Sequence, residues 1–372
     1  PRHLTFADPR RDPRERHIKE EEEIMKSICA YAVALTVLAP ATWAEEIELT
    51  ISASHGIQIP WVAPLQDVIV AETNKRLEAM GSENRVNWTE SYGGALYSFG
   101  DTLEAVGDGI TDAGWIGSLW EESKMPYDNL TYFTPFTSDD YALQMQVFNR
   151  LHHEIPALRA EWENNNVVFL GATGADTYHL YTNFPVTSIA DLKGRKILAP
   201  GVTAPWMAAV GAVPVNGALP TYYNNIETGV ADGVISIVTG AHPLKIHEVA
   251  PYVTLVGVGA NMVGGFGVNK DIWDGLPDDV RQVLTELGPE YSARNAELLT
   301  QRYDAILAEL RADPAVTLTT LPADERQKWV DALPDLAAQW GANLPEGKAL
   351  LDAYMGALRE AGATPARDWK LE

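Results

Sequence analysis

LEAVGDGITDAG (Leu103–Gly114) and YNNIETGVADGV (Tyr223–Val234) share one short grammar. In each, a helix-like stretch ends at a glycine, an aspartate follows three residues later, and a strand-like run begins. The pairs are Gly109 with Asp112 and Gly229 with Asp232. Glycine ends helices readily because it enters the left-handed region without a Cβ penalty. The recurrence reads as one helix–turn–strand element used twice, once in each half of an α/β chain.

The flanking sequence extends both copies. ELTISAS (Glu48–Ser54) alternates as a strand, a turn at His55-Gly56 and Pro60 follows, and Trp61 to Met80 is amphipathic at helical spacing. Val86–Thr89 and Ala113–Gly117 read as further strands around the Gly93-Gly94 break. In the second half, 167–171, 178–182, 196–199 and 234–238 read as strands, with helices at 189–192 and 220–228. Strands alternating with helices predict an α/β fold with largely parallel sheet. Ligands in such sheets bind at the carboxyl ends of the strands, so two facing sheets predict a two-lobed clamshell. Pro289 is expected to open a long helix reaching Ala312, with Leu299, Tyr303, Ile306 and Leu310 as its apolar stripe. The expected domains are 45–175 with 256–290 as the first lobe and 176–255 as the second. Residues 289–372 supply the long bracing helix and C-terminal helices.

The chain has 372 residues, a net charge of −23 and one cysteine. Strong acidity argues against nucleic acid, whose phosphates require basic patches, and against adsorption on anionic lipid. MKSICAYAVALTVLAPATWA (Met25–Ala44) has a basic start, a short apolar run and a small-residue cleavage site, which together read as a secretory signal peptide. Residues 1–24 read as upstream leader, with the mature chain starting near Glu45. Cys29 lies within that signal, so no cysteine chemistry is expected of the exported product. The apolar run is too short to span a bilayer, so no stable membrane insertion is expected.

DLKGRKILAPG (Asp191–Gly201), ALPTYYNNIETGVADGV (Ala218–Val234) and KIHEVAPYVT (Lys245–Thr254) stand in an order and at distances that are informative together. With them, the chain resembles the extracytoplasmic receptors of tripartite ATP-independent periplasmic (TRAP) transporters, of the dicarboxylate-binding type. The resemblance implies two α/β lobes that close on a small, usually carboxylated solute, a periplasmic location and a membrane permease as partner. It implies neither catalysis nor a cofactor. It also implies a carboxylate clamp of two arginines and an asparagine. At the matching positions this chain has Leu198, His179 and Ser236. A planar guanidinium pairs bidentately with carboxylate, and these residues do not.

The other candidates at the cleft are His55, Trp61, Tyr92, Trp115, Tyr178 and Trp206, with Glu90 or Asp176 as nearby carboxylates. Such a set suits an amine or quaternary ammonium. An organic acid held in another way stays open beside it. An ABC-type periplasmic receptor shares the clamshell but not the ordered motif series. An exported hydrolase would need a nucleophile or metal set; His152-His153-Glu154 and the pair His242 and His247 lack the spacing for one helix face.

Overall fold

The computed structural model describes residues 46–371. The expected leader, the signal segment and Cys29 lie outside these described residues. Eleven strands run in chain order among the described residues: β1 (Glu46–Ser52), β2 (Arg85–Ser91), β3 (Ala113–Ile116), β4 (Val167–Ala175), β5 (Tyr178–Thr182), β6 (Lys196–Leu198), β7 (Val213–Val215), β8 (Gly233–Ile237), β9 (Tyr252–Leu255), β10 (Asn261–Asn269) and β11 (Thr317–Thr320). They form two sheets, β2-β1-β3-β10-β4 and β11-β9-β5-β8-β6-β7. The fold is the expected two-lobed α/β clamshell.

The repeated Gly-x-x-Asp element does the same work in both lobes. Gly109 and Gly229 each have φ of +74° and follow the helices Thr102–Gly107 and Leu219–Glu227. Asp112 then docks on β1: its N–H donates to the Thr50 carbonyl at 3.2 Å, and its carboxylate accepts from the Thr50 N–H at 2.7 Å. Asp232 repeats this on β6, donating to Lys196 O at 2.7 Å and accepting from Lys196 N at 2.9 Å. Each aspartate therefore pins the next strand beside a parallel neighbour, β3 beside β1 and β8 beside β6.

The sheets are more mixed than the sequence predicts. β10 runs antiparallel to β3 and β4, and β5 runs antiparallel to β8 and β9. The cause is the connection: the chain passes directly from β4 in one sheet to β5 in the other, and returns from β9 to β10. Neither crossover carries the helix that a parallel βαβ unit needs. β11, unforeseen, pairs parallel with β9 at the edge.

The long helix spans Asp278–Ala312, so Pro289 lies inside it rather than at its start. A mid-helix proline removes one backbone hydrogen bond and costs about 3 kcal/mol. Tertiary packing holds the turn together. A Cβ on Gly288 would lie 2.0 Å from Leu170 O, and the Ser292 hydroxyl donates to Ala172 O at 2.7 Å, so the helix backbone sits directly on β4. Further along, Ile306, Leu307 and Leu310 join the core of the second lobe, and the helix braces both.

Asp112→Ala and Asp232→Ala should each cost about 1.5–3 kcal/mol, the usual range for a hydrogen bond to a charged group. Urea unfolding should show similar falls in midpoint at constant slope. A loss confined to one lobe would break the equivalence of the two elements.

Candidate functional site

β3 and β8 both end where the sheets face one another. Gly117 follows β3, and a Cβ there would lie 2.7 Å from the Trp115 ring and 3.1 Å from the Trp120 ring. Glycine at this turn lets both indoles close over the strand end. They border a small, mainly apolar cavity between the lobes. Trp61, Trp115, Leu119 and Trp120 form its first-lobe wall. Tyr178, Pro200, Leu219, Tyr222 and Ser236 face them from the second. No charged side chain is found among the described residues of this wall.

Four expected residues, Trp61, Trp115, Tyr178 and Ser236, come together here. Trp115 is fixed by its indole N–H, which donates to Thr173 Oγ1 at 3.0 Å. Trp61 is 3% exposed, and its Nε1–H has no partner. His55 packs edge-on behind the wall, 5.8 Å from Trp61, 5.4 Å from Trp115 and 4.4 Å from Phe99 between ring centroids. Its Nδ1 meets Ser54 Oγ at 3.0 Å, while Nε2 is buried without a partner. Burial lowers its pKa from 6.5 to about 4, so the ring is neutral at pH 7.

The remaining expected residues lie elsewhere. Glu90 is exposed at the end of the edge strand β2 and accepts from Gln66 Nε2 at 2.8 Å. Tyr92 is half-buried next to it; burial, then Glu90, raises its pKa. Leu198 is fully buried in the second-lobe core, against the same glycine, Gly217, that Tyr222 covers. Trp206 is likewise fully buried. It stacks on Tyr132 at 6.0 Å, meets the Tyr178 ring edge-on at 5.4 Å, and donates from Nε1 to Tyr132 O at 3.0 Å. It supports the wall from behind.

His179 occupies the strand face opposite Tyr178, because side chains alternate along β5. Its Nδ1 accepts from Val256 N at 3.1 Å and Gly257 N at 3.2 Å, and its Nε2 lies 2.8 Å from Tyr303 Oη on the long helix. Since Nδ1 accepts, the ring proton sits on Nε2 and is donated to Tyr303. Burial lowers its pKa from 6.5 to about 3. Asp176, fully buried at the β4–β5 crossing, accepts from Val238 N, Thr239 N and Thr239 Oγ1 at 2.7, 3.2 and 2.5 Å. Burial outweighs these bonds and raises its pKa from 3.8 to about 6.

Sequence reading missed Trp120 and Tyr222. Trp120 carried a usable signal, since it follows a strand end and a glycine, as Trp206 follows Pro200-Gly201. Tyr222 shares a helical run with Tyr223, and only one of the two reaches the wall.

Two outcomes test these placements. Trp206→Ala should cost about 3–5 kcal/mol of folding stability, as for a buried aromatic, rather than removing a surface contact. In addition, His55 stays neutral in the fold while the unfolded chain protonates below pH 6.5, so this residue's stabilisation is lost as pH falls from 6.5 towards 4. His179 acts in the same direction; Asp176 opposes both, because its folded carboxyl holds a proton between pH 3.8 and about 6. His55→Asn should therefore lose less melting temperature than the parent between pH 7 and pH 5.

The family model of bacterial extracellular solute-binding proteins, family 7 (DctP), matches residues 70–342. A solute-binding protein of Sulfitobacter sp. (NAS141_03721) is 29% identical over 184 residues, 49% of this chain and 55% of that protein, so the match spans about half its length. The C4-dicarboxylate-binding protein DctB of Bacillus subtilis is 23% identical over 308 residues, 77% of this chain and 84% of its own. Among solved structures, the ectoine-binding protein of the Halomonas elongata TeaABC TRAP transporter superposes with a TM-score of 0.71 at 18% identity, covering 85% of this chain and 100% of that one. The chain belongs to family 7 of the bacterial extracellular solute-binding proteins, the solute receptors of TRAP transporters.

Proposed function

We propose that this chain is the receptor that captures one small organic solute in the aromatic cavity and delivers it to a TRAP permease. It acts in the periplasm after export directed by residues 25–44. The observation that carries the reading is that both lobes contribute aromatic wall to one cavity, Trp61 and Trp115 from one side and Tyr178 and Tyr222 from the other. A solute held there touches both lobes only when they are closed, so its binding free energy favours the closed state. A permease that distinguishes closed from open receptors then accepts loaded ones selectively. Among the described residues no helix is long and apolar enough to cross a membrane, so docking to the permease falls to the surface of the lobes.

Binding only the folded state should raise stability by about 2.7 kcal/mol at a hundred times Kd. The test is a thermal-shift screen over a broad panel of small metabolites, with tryptophan fluorescence as a second readout, since three indoles border the cavity. A hit should raise the melting temperature and change the emission together. Silence from the entire panel in both readouts would sink the receptor reading.

A further inference from the structure

This inference rests on the receptor reading and concerns the charge of the solute. A carboxylate placed in the cavity would leave water and find no cation in the wall. Half-buried arginines elsewhere are already committed to backbone, Arg326 and Arg302 among them. Arg326 donates to Val256 O at 2.9 Å and Gly257 O at 2.7 Å, and Arg302 donates to the Gln58 carbonyl. An uncompensated buried charge is among the most costly groups a protein can hold. The wider field adds to this, because residues 1–44 hold seven acidic and seven basic side chains and the whole −23 therefore belongs to the rest.

A cation fares little better. A primary ammonium brings donors that require acceptors, and no carboxylate lines the cavity. Glu90 is exposed and engaged with Gln66, and both oxygens of Asp176 are used on the start of the Val238–Ala241 helix. A quaternary ammonium needs only π faces, which the wall has. It would still leave a fully buried donor of the wall, Trp61 Nε1–H, without an acceptor. A buried N–H left unsatisfied costs about 1–3 kcal/mol.

The geometry points to an uncharged solute: a compact apolar or ring-shaped body among Trp115, Trp120 and Tyr178, carrying a carbonyl or hydroxyl oxygen that accepts from Trp61 Nε1. His55 packs behind the wall and does not line the cavity, so the assignment rests on Trp61 Nε1–H. An amide carbonyl supplies that acceptor without bringing a charge into the cavity.

The test uses matched sets on one skeleton at a time: the carboxamide, the carboxylate and the trimethylammonium derivatives of benzene, cyclohexane and pyridine, with succinate added. Affinities are read by calorimetry and tryptophan fluorescence at pH 7.5. On at least one skeleton the carboxamide should bind at least tenfold more tightly than its carboxylate and ammonium partners. Trp61→Phe, which keeps an aromatic body and removes the N–H, should weaken that amide at least tenfold while the melting temperature of the free protein changes little. Equal amide affinity in Trp61→Phe overturns the assigned hydrogen bond. Tighter binding of succinate or any carboxylate overturns the uncharged class and leaves the receptor reading intact. Binding of the trimethylammonium compounds alone overturns it in favour of a cation on π faces. No binding by any of these, together with silence from the broad metabolite panel, removes both readings.

Discussion

Where the chain returns from β9 to β10 it leaves one ladder before joining the other, and the backbone of Val256 and Gly257 has no strand partner. Both N–H groups are taken by His179 Nδ1 and both carbonyls by Arg326. Buried backbone polar groups left unpaired would cost as much as lost hydrogen bonds, so these two side chains substitute for a sheet at the point where the lobes join. Asp176 does the equivalent at the other crossing by capping the Val238–Ala241 helix. Much of the site follows from this. A histidine that must stay neutral and accept two N–H bonds is not available to a solute. The strand alternation that turns it to the crossing turns Tyr178 to the cavity.

The aromatic groups then tie the lobes across the seam. Tyr132 of the first lobe is stacked on Trp206 of the second, and Trp206 O accepts from Trp329 Nε1 of the C-terminal helices at 3.1 Å. Tyr178 meets the edge of Trp206 and comes within 3.4 Å of the Tyr132 hydroxyl. The cavity is therefore one end of a continuous aromatic seam. Its depth from the surface decides which rings meet a solute and which hold the lobes.

Local signals were legible in the sequence and depth was not. Gly109, Asp112, Gly229 and Asp232 gave the two lobes because a positive-φ glycine and an aspartate that docks on a neighbouring strand act within a few residues. Pro289 misled because the local rule places proline at a helix start, whereas the close approach of Gly288 to Leu170 is set by a strand more than a hundred residues away. β11 escaped for the same reason, since its partner β9 is remote in sequence. At the site, Trp61 and Trp115 were recoverable from loop and strand-end positions. Trp206 has the same signature and lies behind the wall, because nothing local encodes that Tyr132 packs over it.

The positions at which the resemblance implied a carboxylate clamp now have distinct structural uses. Leu198 fills the core beneath Tyr222, His179 holds the crossing, and Ser236 remains at the wall as a small neutral group. Restoring one arginine would not restore a clamp. At position 198 it would put a guanidinium among the buried apolar residues of the second core. At 179 it would replace the acceptor for Val256 and Gly257 with a donor, leaving two N–H groups facing a cation. Each is costly by itself, and each damages an element that the others depend on. The uncharged wall is thus built into the support of the fold, and the electrostatics of solute recognition are tied to how the two lobes are joined.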